Sequence, residues 1–296
     1  MAQKTTSDAG RAYHTQCTGD ALATVKAHEK DEDITLFGSC FCPFVQRVWV
    51  AFEVLGIPYK DLDEVDPYKK PKELLEVSPK GLVPGLRFNR YDPARSLNES
   101  TVILDFLEDL AATTTKRSIL PPITNPYARA IVRLQADHVN RTLVPAFYRY
   151  LQAQTEEKQV EGGIDFHVAL EGLVTLLERA ERELVGQGGI SGQGEAELLQ
   201  KGLGVWIPGQ KDLGWADIMA GPWLFRAKVV LTHYRGFQMP HGERFDGWLE
   251  RLFEHPSFKA TCSTEQLYLD SYERYAFNRP NTSMVATAIN EGRALP

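Results

Sequence analysis

Apolar positions along this 296-residue chain follow one rhythm up to about residue 111 and another beyond it. Ile34-Thr35-Leu36-Phe37 is a short apolar run closed by Gly38, which predicts a strand. Val45, Val48, Trp49, Phe52 and Leu55 then recur at helical spacing on one face, and Gly56 with Pro58 stops that helix. Tyr59 to Asp63 predicts a second strand, and a helical crossover between the two favours a parallel pair. A shorter helix is expected over Pro71 to Val77, followed by a turn at Ser78-Pro79-Lys80-Gly81. Val83 to Phe88 reads as a third strand, with Pro84 near its start where a missing donor is tolerated. Asn89 to Ala94 should form a hairpin loop returning through Ser96-Leu97. From Ser100, Val102, Ile103, Phe106, Leu107 and Leu110 are helical again. Glu32 to Ala111 therefore predicts β-α-β-α-β-β-α.

Beyond a polar, proline-containing stretch nothing reads as a strand. Tyr127 to Gln154, Phe166 to Val185, Ala216 to Tyr234, Phe245 to Phe253 and Glu265 to Phe277 all carry helical spacing, so the second half is expected to be all-α. The expected organisation is a polar extension (1–31), an α/β domain (32–112), a linker (113–125), an all-helical domain (126–278) and a tail (279–296) without a repeating apolar pattern. The glycine-rich segment from Gly186 to Gly204 fits neither a dinucleotide fingerprint nor a phosphate loop, and is expected to be a mobile surface loop.

The length allows two cores. With 33 Lys+Arg against 39 Asp+Glu, the formal net charge of -6 argues against a nucleic-acid binder, which needs a positive field. No window approaches a membrane span, and the polar N-terminal residues lack the apolar core of a secretory signal, so a cytoplasmic location is expected. Four cysteines (Cys17, Cys40, Cys42 and Cys262) are too few for a disulfide framework and fit a reducing compartment. Seven histidines show no metal-ligand spacing, so no metal is expected. No Gly-x-Ser-x-Gly elbow points to a serine hydrolase.

The informative point is Cys42-Pro43-Phe44, at the junction of the first strand and first helix. Pro43 suits the first helical position, where its absent N–H costs nothing. Cys42 then falls at the N-cap, where unpaired N–H groups and the helix dipole favour an anion and should lower a thiol's pKa. A free cysteine is more often an inert core filler, but the strand-Cys-Pro-helix context reverses those odds. The position that would complete Cys-x-x-Cys is Val45, and a Cys40–Cys42 bridge is geometrically difficult, so a monothiol site must recruit an external thiol.

Lys80-Gly81-Leu82-Val83-Pro84 offers a place to hold it. A proline opening a strand is often cis, which turns the backbone of Val83 outward for pairing with an extended peptide. Glu99-Ser100 opens the next helix, where N–H groups and a hydroxyl suit a carboxylate and Glu99 suits an ammonium; plain capping is the alternative. Together these describe a pocket for a small peptide carrying a thiol, an amine and carboxylates.

Cys42-Pro43-Phe44-Val45-Gln46-Arg47, then Gly81-Leu82-Val83-Pro84, then Glu99-Ser100, resembles the cysteine-type glutathione transferases, with the omega class nearest and the lambda class close. The likeness extends through Pro126-Tyr127-Ala128-Arg129-Ala130 and Pro222-Trp223-Leu224-Phe225-Arg226. It implies a thioredoxin-like N-terminal domain followed by an all-helical C-terminal domain, a homodimer, and glutathione as cosubstrate. By motif, Cys42 would form a mixed disulfide with glutathione or activate its sulfur, with Phe44 shaping the pocket beside it. Val83 before cis Pro84 would hold the cysteinyl backbone, and Glu99 and Ser100 the γ-glutamyl end. Lys70 would pair with the glycyl carboxylate, a role its neighbour Lys69 is equally able to fill. Tyr150, Trp223 and Arg226 are candidates for the acceptor pocket. Where the family usually has Ser or Thr three residues before Asp at the core helix of its second domain, this chain has Gly214 before Asp217.

The resemblance implies a glutathione-dependent thiol transferase in redox and detoxification chemistry. Its second substrate remains open among glutathionylated proteins, dehydroascorbate, glutathione conjugates and plant phenolics. A carrier of hydrophobic or phenolic compounds with secondary glutathione chemistry is the main rival. A chloride-channel-like relative that inserts into membranes is the other, since that family also opens a helix with Cys-Pro-Phe.

Overall fold

The computed structural model describes residues 4–6, 12–62, 65–66, 68–184, 202–204 and 212–296. The chain divides into two compact units, Met1–Ser118 with His255–Ser271, and Ile119–Glu254 with Tyr272–Pro296.

The first unit opens with a two-stranded antiparallel ribbon, β1 (Lys4–Thr6) and β2 (Ala12–His14), followed by helix α1 (Gly19–Ala27). The predicted α/β succession then appears as β3 (Ile34–Phe37), α2 (Pro43–Leu55), β4 (Lys60–Leu62), α3 (Lys72–Val77), β5 (Gly85–Phe88), β6 (Arg95–Asn98) and α4 (Ser100–Thr113). The sheet order is β4-β3-β5-β6; β3 and β4 are parallel and the other two pairs antiparallel. α2 stops where expected, with Gly56 in the left-handed conformation at φ 64°, which a Cβ would oppose. Asn89–Ala94 is a hairpin loop, with Asn89 Nδ2 donating to the Glu32 carbonyl (2.9 Å) and Thr35 Oγ1 (2.9 Å).

The polar N-terminal segment is an integral part of this unit. Tyr13, His14, Cys17 and Ala21 are buried. His14 Nε2 meets Asp270 Oδ2 at 2.8 Å, Thr24 Oγ1 donates to the Ala260 carbonyl (2.6 Å), and Ala21 N–H to the Cys262 carbonyl (3.0 Å). These partners lie about 240 residues away in sequence, so nothing local announces them.

The second unit contains α5 (Pro126–His138), a π-turn over Val139–Leu143, α6 (Val144–Gln152), α7 (Glu156–Leu184), α8 (Trp215–Arg226), a second π-turn over Ala227–Leu231, α9 (Thr232–Arg235) and α10 (Glu243–Glu254). α11 (Pro256–Lys259) belongs to the first unit, α12 (Glu265–Ala276) is divided between the two, and α13 (Met284–Asn290) closes the second. No strand occurs among its described residues, as the pattern predicted. The predicted stretch Tyr127 to Gln154 is thus one helical course that ends at Gln152, where Ala153 turns extended, with a wide turn just before Pro145, whose missing N–H cannot bond back one turn. The tail forms a helix where no apolar repeat announced one. Ser283 caps it by accepting the Ala286 N–H (3.0 Å), Ala286 and Ala288 are buried, and Gln152 Nε2 donates to the Ala286 carbonyl (3.2 Å). Of the glycine-rich segment 186–204, only 202–204 lie among the described residues.

Candidate active site

Register decides where the candidate residues fall. Phe37 faces Leu62 on one side and Gly85 on the other, and Gly85 faces Asn98. The segments leading to Cys42, Lys70 and Glu99, and the one leading in from Val83-Pro84, therefore all leave the sheet at the same end. Residues up to 57 positions apart in sequence thus flank one end of the sheet, where three strands end and one begins.

Cys42 is the N-cap of α2, in extended backbone (φ -74°, ψ 122°), with Pro43 behind it as first helical residue. Its N–H donates to the Ser39 carbonyl (3.1 Å) and its carbonyl accepts the Gln46 N–H (3.1 Å). The half-buried sulfur stands 3.9 Å from the Val83 carbonyl oxygen. α2 itself is held rigidly. Val48, Val50 and Ala51 are fully enclosed, and Gln46 Nε2 donates to Thr261 Oγ1 (3.1 Å). Gln46 and Thr261 were not predicted as supports; a glutamine inside an apolar helix face was the available signal. Phe44, half-buried, carries the Arg47 guanidinium 5.5 Å from its ring centre. Cys40 is buried, and its thiol donates to the His14 carbonyl (3.2 Å).

The Val83–Pro84 bond is cis. The Val83 side chain packs against Phe37, Val65, Leu74 and Val77, fixing this residue beside the thiol. Gly81 just before it has φ 64°, and a Cβ there would stand 2.6 Å from Lys70 Cδ. Lys70 lies across that glycine with its Nζ donating to the Lys80 carbonyl (2.8 Å). Lys69 instead is exposed, with its ammonium 3.7 Å from Asp66 Oδ2. The two adjacent lysines are thus separated by their contacts: Lys70 joins the turn before Val83 and Lys69 faces away to Asp66.

Glu99 is the N-cap of α4 at φ 72° and ψ 113°, a strained conformation for a residue with a Cβ. Its side chain is exposed, whereas Ser100, first in the helix, is buried. Lys70 is also at positive φ (42°). Backbone strain at two of the predicted contact residues is the kind that surrounding structure maintains at binding sites.

The residues predicted for the acceptor pocket are buried in the helical unit. Trp223 and Arg226 are 0% and 1% exposed and Tyr150 is 7% exposed. Arg226 Nη1 donates to the Pro222 carbonyl (2.9 Å), and Tyr150 OH donates to the Arg235 carbonyl (3.2 Å). These contacts pack the helical unit and satisfy its backbone carbonyls. Asp217 compensates for Gly214: its Oδ2 accepts the Gly214 N–H (2.9 Å) and its Oδ1 the Trp248 indole N–H (2.7 Å). Among the described residues there is no group of three metal-ligating side chains, and no helix is long and apolar enough to cross a membrane.

The β4-β3-β5-β6 sheet with its parallel β3–β4 pair, a cysteine at the N-cap of α2 and a cis proline opening β5 define a thioredoxin-like unit, and the chain continues into a helical one. Residues 36–115 match the family described as Glutathione S-transferase, N-terminal domain. Glutathione S-transferase U2 of Arabidopsis thaliana is 34% identical over 230 residues, 76% of this chain and 86% of that protein. The chloroplastic glutathione S-transferase DHAR3 of the same plant is 26% identical over 74% of this chain and 68% of its own length. Glutathione transferase Omega 3C from Trametes versicolor superposes with a TM-score of 0.67 at 32% identity, covering 89% of this chain and 98% of that one. The chain belongs to the glutathione S-transferase family.

Proposed function

We propose that this protein is an omega-like, glutathione-dependent thiol transferase whose nucleophile is Cys42. The observation that carries the reading is the placement of the Cys42 sulfur at the N-cap of α2, 3.9 Å from the Val83 carbonyl. A helix N-terminus stabilises an anion, and the thiolate is the form that attacks disulfides. In the first step the Cys42 thiolate attacks the glutathione sulfur of a mixed disulfide. The Cys42–glutathione disulfide forms, the original S–S bond breaks, and the substrate leaves as a thiolate that takes a proton from water. A second glutathione thiolate then attacks the glutathionyl sulfur, giving oxidised glutathione and regenerating Cys42. The sum consumes one free glutathione: the substrate is released as its thiol, and the glutathionyl group it carried leaves as half of the oxidised glutathione. Dehydroascorbate and glutathione conjugates are further substrates of the same thiolate.

In this reading Val83 and cis Pro84 hold the cysteinyl portion of glutathione, Glu99 and Ser100 its γ-glutamyl end, Lys70 its glycyl carboxylate, and Phe44 flanks the sulfur. Lys70 is preferred over Lys69 because its ammonium already lies against the Lys80 carbonyl in the turn before Val83. The protein is taken to act as a cytoplasmic homodimer. The second substrate's pocket is left without residues, since Tyr150, Trp223 and Arg226 are interior.

Intact mass after incubation with oxidised glutathione tests the reading. One glutathionyl group should be gained, mapping to Cys42 and removed by excess glutathione. Cys42→Ser should lose both adduct and thiol transfer. Equal thiol-transfer rates in the two proteins would refute the monothiol mechanism and leave the ligand carrier as the better account.

A further inference from the structure

We propose that Tyr13, on the N-terminal strand β2, is a positioning residue that ties the Cys42 loop to the Lys70 turn and so sets glutathione affinity. This deepens the reading above and rests on it through Lys70.

Two groups of contacts converge on β2. Tyr13 OH donates to Asp66 Oδ2 at 2.9 Å. The other carboxylate oxygen, Oδ1, accepts the Tyr68 N–H (3.0 Å), and the Asp66 carbonyl accepts the N–H groups of both Lys69 and Lys70 (3.2 Å each). Asp66 therefore organises the turn that delivers Lys70 at its positive φ of 42°. On the other side the Tyr13 ring meets Tyr68 edge-on, centroids 4.8 Å apart, and Tyr68 stacks on Phe41, centroids 6.4 Å apart at 20°. Phe41 directly precedes Cys42. The next residue of β2, His14, accepts the Cys40 thiol through its carbonyl (3.2 Å), while its ring nitrogen Nε2 meets Asp270 Oδ2 (2.8 Å). Tyr13 is 3% exposed and His14 5%, so this strand is held in place rather than lying loosely on the surface.

Both segments continue beyond the strand ends at Phe37 and Leu62. Phe41 and Tyr68 join them by a direct ring contact, and from β2 the Tyr13 ring and hydroxyl hold Tyr68 and Asp66, the side of that contact that leads into Lys70. The effect of Tyr13 on glutathione runs through Asp66 and Tyr68.

Tyr13→Phe in the full-length protein removes the hydroxyl and keeps the ring. Its Kd for glutathione, by calorimetric titration, should rise about five-fold, the scale of one ordinary net hydrogen bond, while kcat at saturating glutathione changes less. Asp66→Asn, which also loses the Lys69 pair, should give at least as large a rise, and the double variant should be no worse than Asp66→Asn alone, because the Tyr13–Asp66 bond is lost in both. Hydrogen–deuterium exchange in Tyr13→Phe should quicken in peptides covering 40–44 and 68–72 and stay unchanged in those from α5 to α7. An unchanged Kd overturns the proposal, and so does faster exchange spread evenly along the chain. If the wild-type protein fails to bind glutathione, the proposed function falls, and the local exchange pattern alone then decides whether Tyr13 braces the two loops.

Discussion

Replacing Gly81 with alanine separates the function of the Lys70 turn from the stability of the fold. Gly81 sits at φ 64°, and a side chain in that region costs about 1–2 kcal/mol. Alanine recovers about 0.4–1 kcal/mol of that by restricting the unfolded chain, leaving a net loss of about 1 kcal/mol. The new Cβ would also stand 2.6 Å from Lys70 Cδ, 3.1 Å from its Cγ and 3.2 Å from Leu75 Cδ2. Carbon atoms pack at about 3.5–4.0 Å, so the Lys70 side chain must move by about 1 Å, and its Nζ leaves the Lys80 carbonyl. Gly56 provides the control. It has the same φ of 64°, its nearest neighbour is the flexible end of Arg117 at 3.2 Å, and it closes α2 at the far end from Cys42. Both variants should therefore melt lower by a similar amount, but only Gly81→Ala should raise the KM for glutathione, by roughly tenfold if a charge-assisted contact is lost. Thermal unfolding and steady-state thiol transfer, measured on both proteins at one pH and salt, give the comparison. A lower melting temperature for Gly81→Ala with an unchanged KM would remove Lys70 from the site. An equal rise in KM for Gly56→Ala would show that the effect is only general loosening.

Glu99 invites a paired substitution: Glu99→Ala and Glu99→Gly both delete the carboxylate and should weaken glutathione binding alike, yet the glycine variant relieves the strain at φ 72° and should be more stable by about 1 kcal/mol in denaturant unfolding. Equal stability would mean that the backbone there carries no strain. His28, at the end of α1, has its pKa raised above 6.5, first by its hydrogen bond to Glu53, with the Tyr59 carbonyl adding to this and burial opposing it. A raised native pKa contributes stability that is complete below the unfolded value and is lost as pH climbs through the native one. The melting-temperature gap between wild type and His28→Gln should thus be wider at pH 5.5 than at pH 8.5, and a gap independent of pH would refute the role of the Glu53 pair.

The α/β half was legible because each of its elements carries its own period. The apolar set from Val45 to Leu55 and the Gly56 stop announce α2 without help from any distant residue, and the observed α2 ends at Leu55. Cys42 at the cap and the cis bond before Pro84 follow from the same local grammar. What escaped is held by partners that sequence proximity cannot supply. α1 buries only Ala21 and docks through Thr24 and main-chain groups to residues 260–262, so it has no apolar face to read. α13 docks through two alanines and a bond from Gln152, and an alanine pair in a polar tail carries no period. α7 begins ten residues before its apolar repeat does, because Glu156 to Asp165 form polar helical turns with Val160 and Ile164 exposed. The acceptor candidates show the opposite difficulty. Aromatic side chains at helical spacing fit a core and a pocket equally well, and burial chooses the core for Trp223 and Tyr150.

The same contrast explains how the proposed site is assembled. A monothiol site needs its sulfur, its peptide-pairing backbone and its charged clamps within the length of one tripeptide, yet the chain carries them at 42, 83, 70 and 99–100. Strand register solves the placement by ending β3, β4 and β6, and starting β5, at one level. Register alone leaves the connecting loops free to wander by more than the tolerance of a hydrogen bond. The fold closes that gap with contacts that are individually ordinary: Gln46 to Thr261 behind α2, Lys70 across Gly81, and Tyr13 to Asp66 between loops. Each is worth about 1 kcal/mol in stability, which is small beside the core. Their larger effect is on binding, because a loop already in place loses no conformational entropy when the ligand arrives. Substitutions at Gln46, Gly81 and Tyr13 should therefore cost more in glutathione affinity than in melting temperature, the reverse of what an interior residue such as Trp223 would show.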